Sequence, residues 1–161
     1  MNLPLLTYWA VIFLLGASIG SFLNVCISRW PAELSVVRPR SRCPRCENQI
    51  AWYDNIPLVS WLLLRAKCRH CGLPISAQYP AVELLVGLLW VGAVYAFGPS
   101  FTALRVAACA TILLGVLMTD LLHYVIPDGF TVTGFQLALA AAPVALYLGE
   151  QGPFAGPWDA F

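Results

Sequence analysis

The chain has 161 residues, 60% of them hydrophobic and 11% charged, with a mean hydropathy of +0.75 and a net charge of +1. That composition excludes an ordinary water-soluble core and points to an all-α protein that crosses a membrane several times. The near-neutral total conceals an asymmetry, because eight of the nine Lys and Arg residues lie between Arg29 and Arg69, and the positive-inside rule assigns that segment to the cytoplasm.

The first residues, Met1-Asn2-Leu3-Pro4, carry no basic cluster, and no small-residue cleavage site follows a short apolar core. The segment therefore reads as a retained span and not as a removable signal peptide. Residues 5 to about 27 suffice to cross a bilayer as a helix, which takes about twenty residues, and 1–28 form the first transmembrane unit. Gly16 and Gly20 let a neighbouring helix approach closely, and Ser21 and Asn24 can hydrogen-bond across that contact. Asn24 reads equally as a packing residue or as part of a site, and Cys26 as a small buried hydrophobe. Arg29-Trp30-Pro31 ends the span with a cation, an interfacial aromatic and a helix breaker.

From 29 to 78 the composition turns to Pro, Arg, Cys, Asn and Gln, without repeat or sustained apolar periodicity. Cys43-Pro44-Arg45-Cys46 and Cys68-Arg69-His70-Cys71 are separated by twenty-one residues. Two such pairs suit tetrahedral thiolate ligation of structural zinc by Cys43, Cys46, Cys68 and Cys71. Two disulfides are the alternative, and the reducing cytosol favours metal. Pro44 restricts the first knuckle, while Gly72 is free to take positive φ after the second. A module this small depends on its metal for a fixed shape. Trp52, Tyr53, Ile56, Leu58, Val59, Trp61 and the Leu62-Leu63-Leu64 run either form a compact core or lie along the bilayer surface.

The unit 79–161 holds three further spans. Tyr79-Pro80-Ala81-Val82-Glu83 opens the second, which runs to about Phe97, and Glu83 reads as a carboxylate kept near the headgroups by the helix N-terminus. Gly98-Pro99-Ser100 makes a tight turn into a third span at 101–119, with Arg105 reaching for the outer face and Cys109 packed among small residues. A fourth span at 130–148 leaves a short Gly/Pro-rich tail. About four spans place both termini outside and both polar loops inside.

Asp120, His123 and Asp128 concentrate ionisable groups on the cytoplasmic side, in Thr119-Asp120-Leu121-Leu122-His123-Tyr124-Val125-Ile126-Pro127-Asp128. An Asp at the end of a membrane helix is costly to ionise, so the default reading of Asp120 is acid–base chemistry, and the alternative is that it simply ends its span among headgroups. Asp128 is placed either to cap the fourth helix or to take part in that chemistry. His123, three residues from Asp120, reads either as an interfacial His, the commoner case, or as a neighbour on the same helix face that tunes the charge of Asp120.

Ser21-Phe22-Leu23-Asn24-Val25, the paired C-x-x-C segment, Asn55-Ile56-Pro57-Leu58-Val59-Ser60, Tyr79-Pro80-Ala81-Val82-Glu83-Leu84, Asp120 and Pro127-Asp128 follow one another in an order that resembles the type 4 prepilin leader peptidases. The resemblance covers nearly the whole chain. It implies an aspartic endopeptidase of the bacterial inner membrane that cleaves the leaders of type IV prepilins and type II secretion pseudopilins. It also implies N-methylation of the new terminus with S-adenosylmethionine in bifunctional members. Asp120 matches the family's first catalytic Asp, and Asp128 accompanies it. The family's second catalytic Asp, in a G-x-G-D motif, has no counterpart here, and Asp159 lacks its glycines. The chain is thus expected to be the N-terminal part of such an enzyme, with an incomplete dyad. A non-catalytic membrane module whose zinc knob docks pilin leaders or assembly partners is the alternative. Prepilin substrates and the lipid bilayer are the expected partners, and no nucleic acid is expected.

Overall fold

The computed structural model describes residues 3–43 and 45–148, so Pro44 and the tail expected after 148 lie outside the described residues. Five α-helices follow in order: α1 Leu3–Arg29, α2 Val59–Leu63, α3 Gln78–Phe97, α4 Phe101–His123 and α5 Asp128–Tyr147. Short 3-10 turns lie at Trp30–Ala32, before the first cysteine pair, and at Trp52–Asn55, between the two pairs. The described residues contain no strand, only two isolated bridges, Arg42 with Gln49 and Lys67 with Pro74.

Three helical stretches, Pro4–Ala32, Gln78–Phe97 and Phe101–His123, are long and apolar enough to cross a membrane. The molecule is a helical polytopic membrane protein, as its composition requires. The fourth span expected at 130–148 corresponds to α5, a 20-residue helix with Pro143 inside it. That helix is not among the three, and Thr131, Thr133 and Gln136 make its first half the more polar.

Helix α1 lies against α3 through its glycines. A Cβ on Gly20 would stand 2.9 Å from the Cα of Glu83, and one on Gly16 would stand 3.0 Å from the Cα of Gly87. Backbones this close exclude any side chain between them, so the small residues set the interhelical distance. Behind the contact, Leu23, Cys26, Ile27, Val82, Val86 and Phe130 form the buried core, and Cys26 takes the packing role read from its sequence.

Helix α4 buries Ala103, Ala107, Thr111, Gly115 and Thr119, one small residue in every four. Residues four apart share one helix face, so this row is a ridge that neighbouring helices can approach. Its hydroxyls stay satisfied without water: Thr111 donates to the carbonyl of Ala107 at 2.8 Å and Thr119 to that of Gly115 at 2.9 Å. The Trp90 indole also donates to the Thr111 hydroxyl at 3.2 Å, which joins α3 to α4. Cys109 departs from expectation, since it lies off the ridge and is exposed on the helix surface.

The turn between α3 and α4 follows its sequence. Gly98 takes φ 67°, and the Ser100 hydroxyl accepts the amide of Ala103 at the start of α4, as an N-cap should. At the other end of the bundle, the Trp30 ring stands edge-on to Phe130 with centroids 4.4 Å apart. This contact brings the end of α1 against the first turn of α5.

Candidate metal centre and polar junction

The two C-x-x-C pairs fold into equivalent knuckles. The amide of Cys43 donates to the carbonyl of Asn48 and that of Glu47 to Cys43, while the amide of Cys68 donates to Leu73 and that of Gly72 to Cys68. The residue after each pair takes a left-handed φ, 55° at Glu47 and 69° at Gly72. The freedom expected of Gly72 is used, whereas Glu47 reaches the same conformation against its preference.

The knuckles face each other with all four sulfurs within 4.8 Å of one another. Cys43 Sγ lies 3.8 Å from Cys71 Sγ, and Cys46 Sγ lies 4.0 Å from Cys68 Sγ. All four cysteines are free, so the disulfide alternative is not adopted. The N–H groups of Cys46 and Arg45 draw the Cys43 thiol down to about 6. Those of Cys71 and His70 lower Cys68 in the same way. Cys71 differs: the Leu73 amide favours its thiolate, but desolvation and the thiols of Cys68, Cys43 and Cys46 push it up to about 11. Four crowded thiols cannot all ionise without a cation among them, and this cluster can hold a metal ion.

Asp54 fixes the second knuckle to the 3-10 turn beside it. Arg69 donates through Nε to Asp54 Oδ2 at 2.8 Å and through Nη2 to Oδ1 at 2.5 Å, and its guanidinium lies 5.5 Å from the Tyr53 ring centroid. The Arg69 hydrogen bond holds the Asp54 carboxyl below its ordinary range.

The compact apolar core allowed for this module does not form. Trp52, Tyr53, Ile56, Val59, Leu62 and Leu63 are exposed, because a metal-centred module of this size closes over its ligands and not over a hydrophobic centre. Its internal bonds are polar: the Ser60 hydroxyl donates to the carbonyl of Tyr53 at 2.8 Å and accepts the amide of Ile56 at 3.1 Å.

Where module and membrane helices meet, Leu58 takes φ 61° and donates its amide to Glu83 Oε2 at 2.8 Å. The Ser21 hydroxyl lies against the same carboxylate. Glu83 is thus only 8% exposed: the carboxylate read as kept near the headgroups is turned inward at the start of its helix, where it holds a loop amide. Asn24 sits one helical turn further along α1 from Gly20. Its Nδ2 donates across the interface to the carbonyl of Tyr79 at 3.0 Å, as expected, while its buried Oδ1 has no partner. Ser21, Asn24, Leu58, Ser60 and Glu83 belong to three separate sequence motifs, and the fold joins them at one junction.

A cavity of about 370 Å³ adjoins the junction, lined among others by Ser21, Phe22, Arg29, Arg40, Asn55 and Pro57. Arg29 closes one side by donating to the carbonyls of Ser35 and Pro39 at 2.9 and 2.8 Å.

Asp120 occupies the last turn of α4 and is exposed, and the amide of Tyr124 closes that helix on its carbonyl. Asp128 is the first residue of α5, also exposed. It stands inside the helix, where its charge favours the N-terminal turn, and its carboxylate makes no capping hydrogen bond among the described residues. No hydrogen bond joins the two carboxylates.

Long apolar helices interrupted after the first by a four-cysteine module that can hold a metal ion define a class of polytopic membrane protein. The chain belongs to the family described as Bacterial Peptidase A24 N-terminal domain, which it matches over residues 14–97. It is 49% identical over 131 residues to a Prepilin leader peptidase/N-methyltransferase of Myxococcus xanthus, covering 81% of this chain and 39% of that protein. Proteins of the same name from Aeromonas hydrophila and Klebsiella pneumoniae are 38% and 39% identical, over 77% and 90% of this chain and 51% and 68% of theirs. The chain thus spans about two-fifths to half the length of the first two relatives. No solved structure matches it.

Proposed function

We propose that this chain belongs to an inner-membrane enzyme that removes the leader peptides of type IV prepilins and type II secretion pseudopilins at the cytoplasmic face. Its relatives' names support the substrate class, and one contact supports the placement. Trp30 against Phe130, at 4.4 Å, sets the first turn of α5, with Asp128, beside the end of α1 that leads into the cysteine module. Asp120 precedes it by one short connection, so the acidic stretch and the module share one end of the bundle.

In the proposed chemistry Asp120 is a catalytic carboxylate and Asp128 its acidic neighbour. Aspartic proteolysis uses two carboxylates that share a proton: the ionised one draws a proton from water while the protonated one polarises the scissile carbonyl. Exposure of Asp120 at a helix end leaves its carboxylate open to an extended peptide and to water. A second carboxylate facing Asp120 completes the pair.

Structural zinc suits the four cysteines. Zinc–sulfur bonds of about 2.3 Å in a tetrahedron put sulfurs about 3.8 Å apart, against 3.8 and 4.0 Å for the two close pairs. Cys43, Cys46, Cys68 and Cys71 would hold the ion, which would fix the module's shape. For S-adenosylmethionine, the methyl donor implied by the relatives' second activity, the cavity beside the junction offers no acidic group to hold a sulfonium. The charged side chains lining it are Arg29 and Arg40, which disfavour a sulfonium. No methyl-transfer step is assigned to these residues.

The test is leader cleavage by a chimera in which this chain replaces the corresponding part of the Myxococcus xanthus relative, in its native membrane. The chimera should cleave, and Asp120→Asn should slow cleavage by about 10²-fold or more. An Asp120→Asn chimera as fast as its parent would remove Asp120 from the mechanism.

A further inference from the structure

We propose that α2 is an interfacial helix that rests on the bilayer, with Val59, Leu62 and Leu63 set into the boundary between headgroups and acyl chains. In this arrangement Arg65 and Lys67 lie against the phosphates of anionic phospholipids.

The two faces of α2 are already distinguished. Ser60 is buried in its hydrogen bonds to Tyr53 and Ile56, and the Trp61 indole donates to the carbonyl of Ile75 at 3.3 Å. Those two residues attach the helix to its own module. Val59, Leu62 and Leu63 stand three and four positions apart on the other face, and Leu62 and Leu63 are 66% and 78% exposed. An apolar face at this spacing, left uncovered while the opposite face is bonded to the module, is what an interfacial helix presents to the bilayer.

The height of α2 follows from its attachment. It begins directly after Leu58, whose amide is held by Glu83. Glu83 lies five residues beyond Gln78, where α3 starts, or about 8 Å along the helix axis at 1.5 Å per residue. Side chains on a helix lean toward its N-terminus, so the carboxylate reaches back to the entry of the membrane span. The start of α2 is therefore fixed at the level of the membrane surface, while its leucines are uncovered by the protein.

Charge selects the lipid. Arg65 and Lys67 directly follow α2, are exposed, and form no ion pair among the described residues. Basic groups beside an anionic leaflet are drawn to its surface potential. The polar ends and the apolar face thus match the two layers of one interface, which a soluble acidic protein would not supply.

The test places a fluorescent non-natural amino acid at position 63 of the full chain, since thiol labelling would attack the four knuckle cysteines. The protein is held in nanodiscs of phosphatidylglycerol or of phosphatidylcholine, and a probe at Asn48, on the first knuckle, serves as reference. The probe at 63 should be quenched by lipids brominated on their acyl chains and protected from aqueous iodide, with the reverse at Asn48. Arg65→Gln with Lys67→Gln, compared at equal metal content, should lose bromolipid quenching in phosphatidylglycerol down to the phosphatidylcholine level. Iodide quenching at 63 as strong as at Asn48 would put the face in water and overturn the proposal. Unchanged bromolipid quenching in the double variant would overturn its anionic-headgroup part.

Discussion

The amide of Leu58 donates to Glu83 Oε2 at 2.8 Å, and this bond joins the cysteine module to the second long helix. Leu58 holds φ 61° there, a value that a residue with a side chain keeps only when its surroundings impose it. Glu83 imposes it from α3, and Gly20 of α1 packs against the backbone of the same residue. One carboxylate therefore sets the loop that walls the cavity and the orientation of the module above the membrane.

Glu83→Ala leaves the Leu58 amide buried without an acceptor, which costs about 1–3 kcal/mol. Hydrogen exchange at Leu58 and Val59 should accelerate sharply while the knuckle amides of Cys43 and Cys68 keep their protection. Unchanged exchange at Leu58 would show that the bond does not hold the loop.

Gly20→Ala forces a methyl group against the Cα of Glu83, 2.9 Å away. Backbone cannot yield as a flexible side chain does, so the α1–α3 contact must open, at a cost of about 1–3 kcal/mol. Thermal unfolding in detergent should fall by several degrees for Gly20→Ala. The same change at Gly92 inside α3, where a Cβ meets nothing within 4 Å, should raise it slightly, since alanine suits a helix better than glycine.

These two cases mark what could be read from the chain. Gly16 and Gly20 announced a close helix contact because only missing side chains permit one, and the C-x-x-C pairs announced a metal site because ligand spacing is local. The role of Glu83 was hidden for the opposite reason. Its partner, Leu58, is 25 positions away in a loop with no periodicity, and an acid at a helix start has an adequate local explanation. Trp30 likewise packs against Phe130, a partner that nothing near it in sequence names. Asp120 and Asp128 were legible as acids at helix ends, but a dyad is a relation between two carboxylates, and no local pattern encodes it.

Asp54 gives a pH dependence of defined sign. Its folded-state pKa lies below the ordinary value because Arg69 hydrogen-bonds its carboxylate. The stabilisation is therefore complete above the unfolded value of about 3.9 and is lost only as pH falls below it, through the folded value. Between pH 6 and 8 the pair should contribute a constant amount. Metal release to a chromogenic chelator should be modestly faster in Asp54→Asn, with rate profiles parallel to wild type across that range. Profiles that converge at either end would contradict this assignment.

Ala66 takes φ 58° directly after Arg65 at φ 51°, and a left-handed alanine costs about 1–2 kcal/mol. Ala66→Gly removes most of that strain, less the extra freedom gained by the unfolded chain, for a net gain of about 0.5–1 kcal/mol. The midpoint of thermal unfolding should rise, and metal release should slow. A lower midpoint would show that the alanine methyl contributes more than its backbone strain removes.

Photo-crosslinking tests most directly the claim that substrate is processed where the acidic stretch meets the cysteine module. A prepilin with a photoreactive residue beside its scissile bond is bound to the protein in membranes, and the crosslinked segments are read by mass spectrometry. Crosslinks should fall on residues 120–130 and on the segment 30–58. Crosslinks confined to the Gly98-Pro99-Ser100 turn, at the opposite ends of α3 and α4, would contradict the placement.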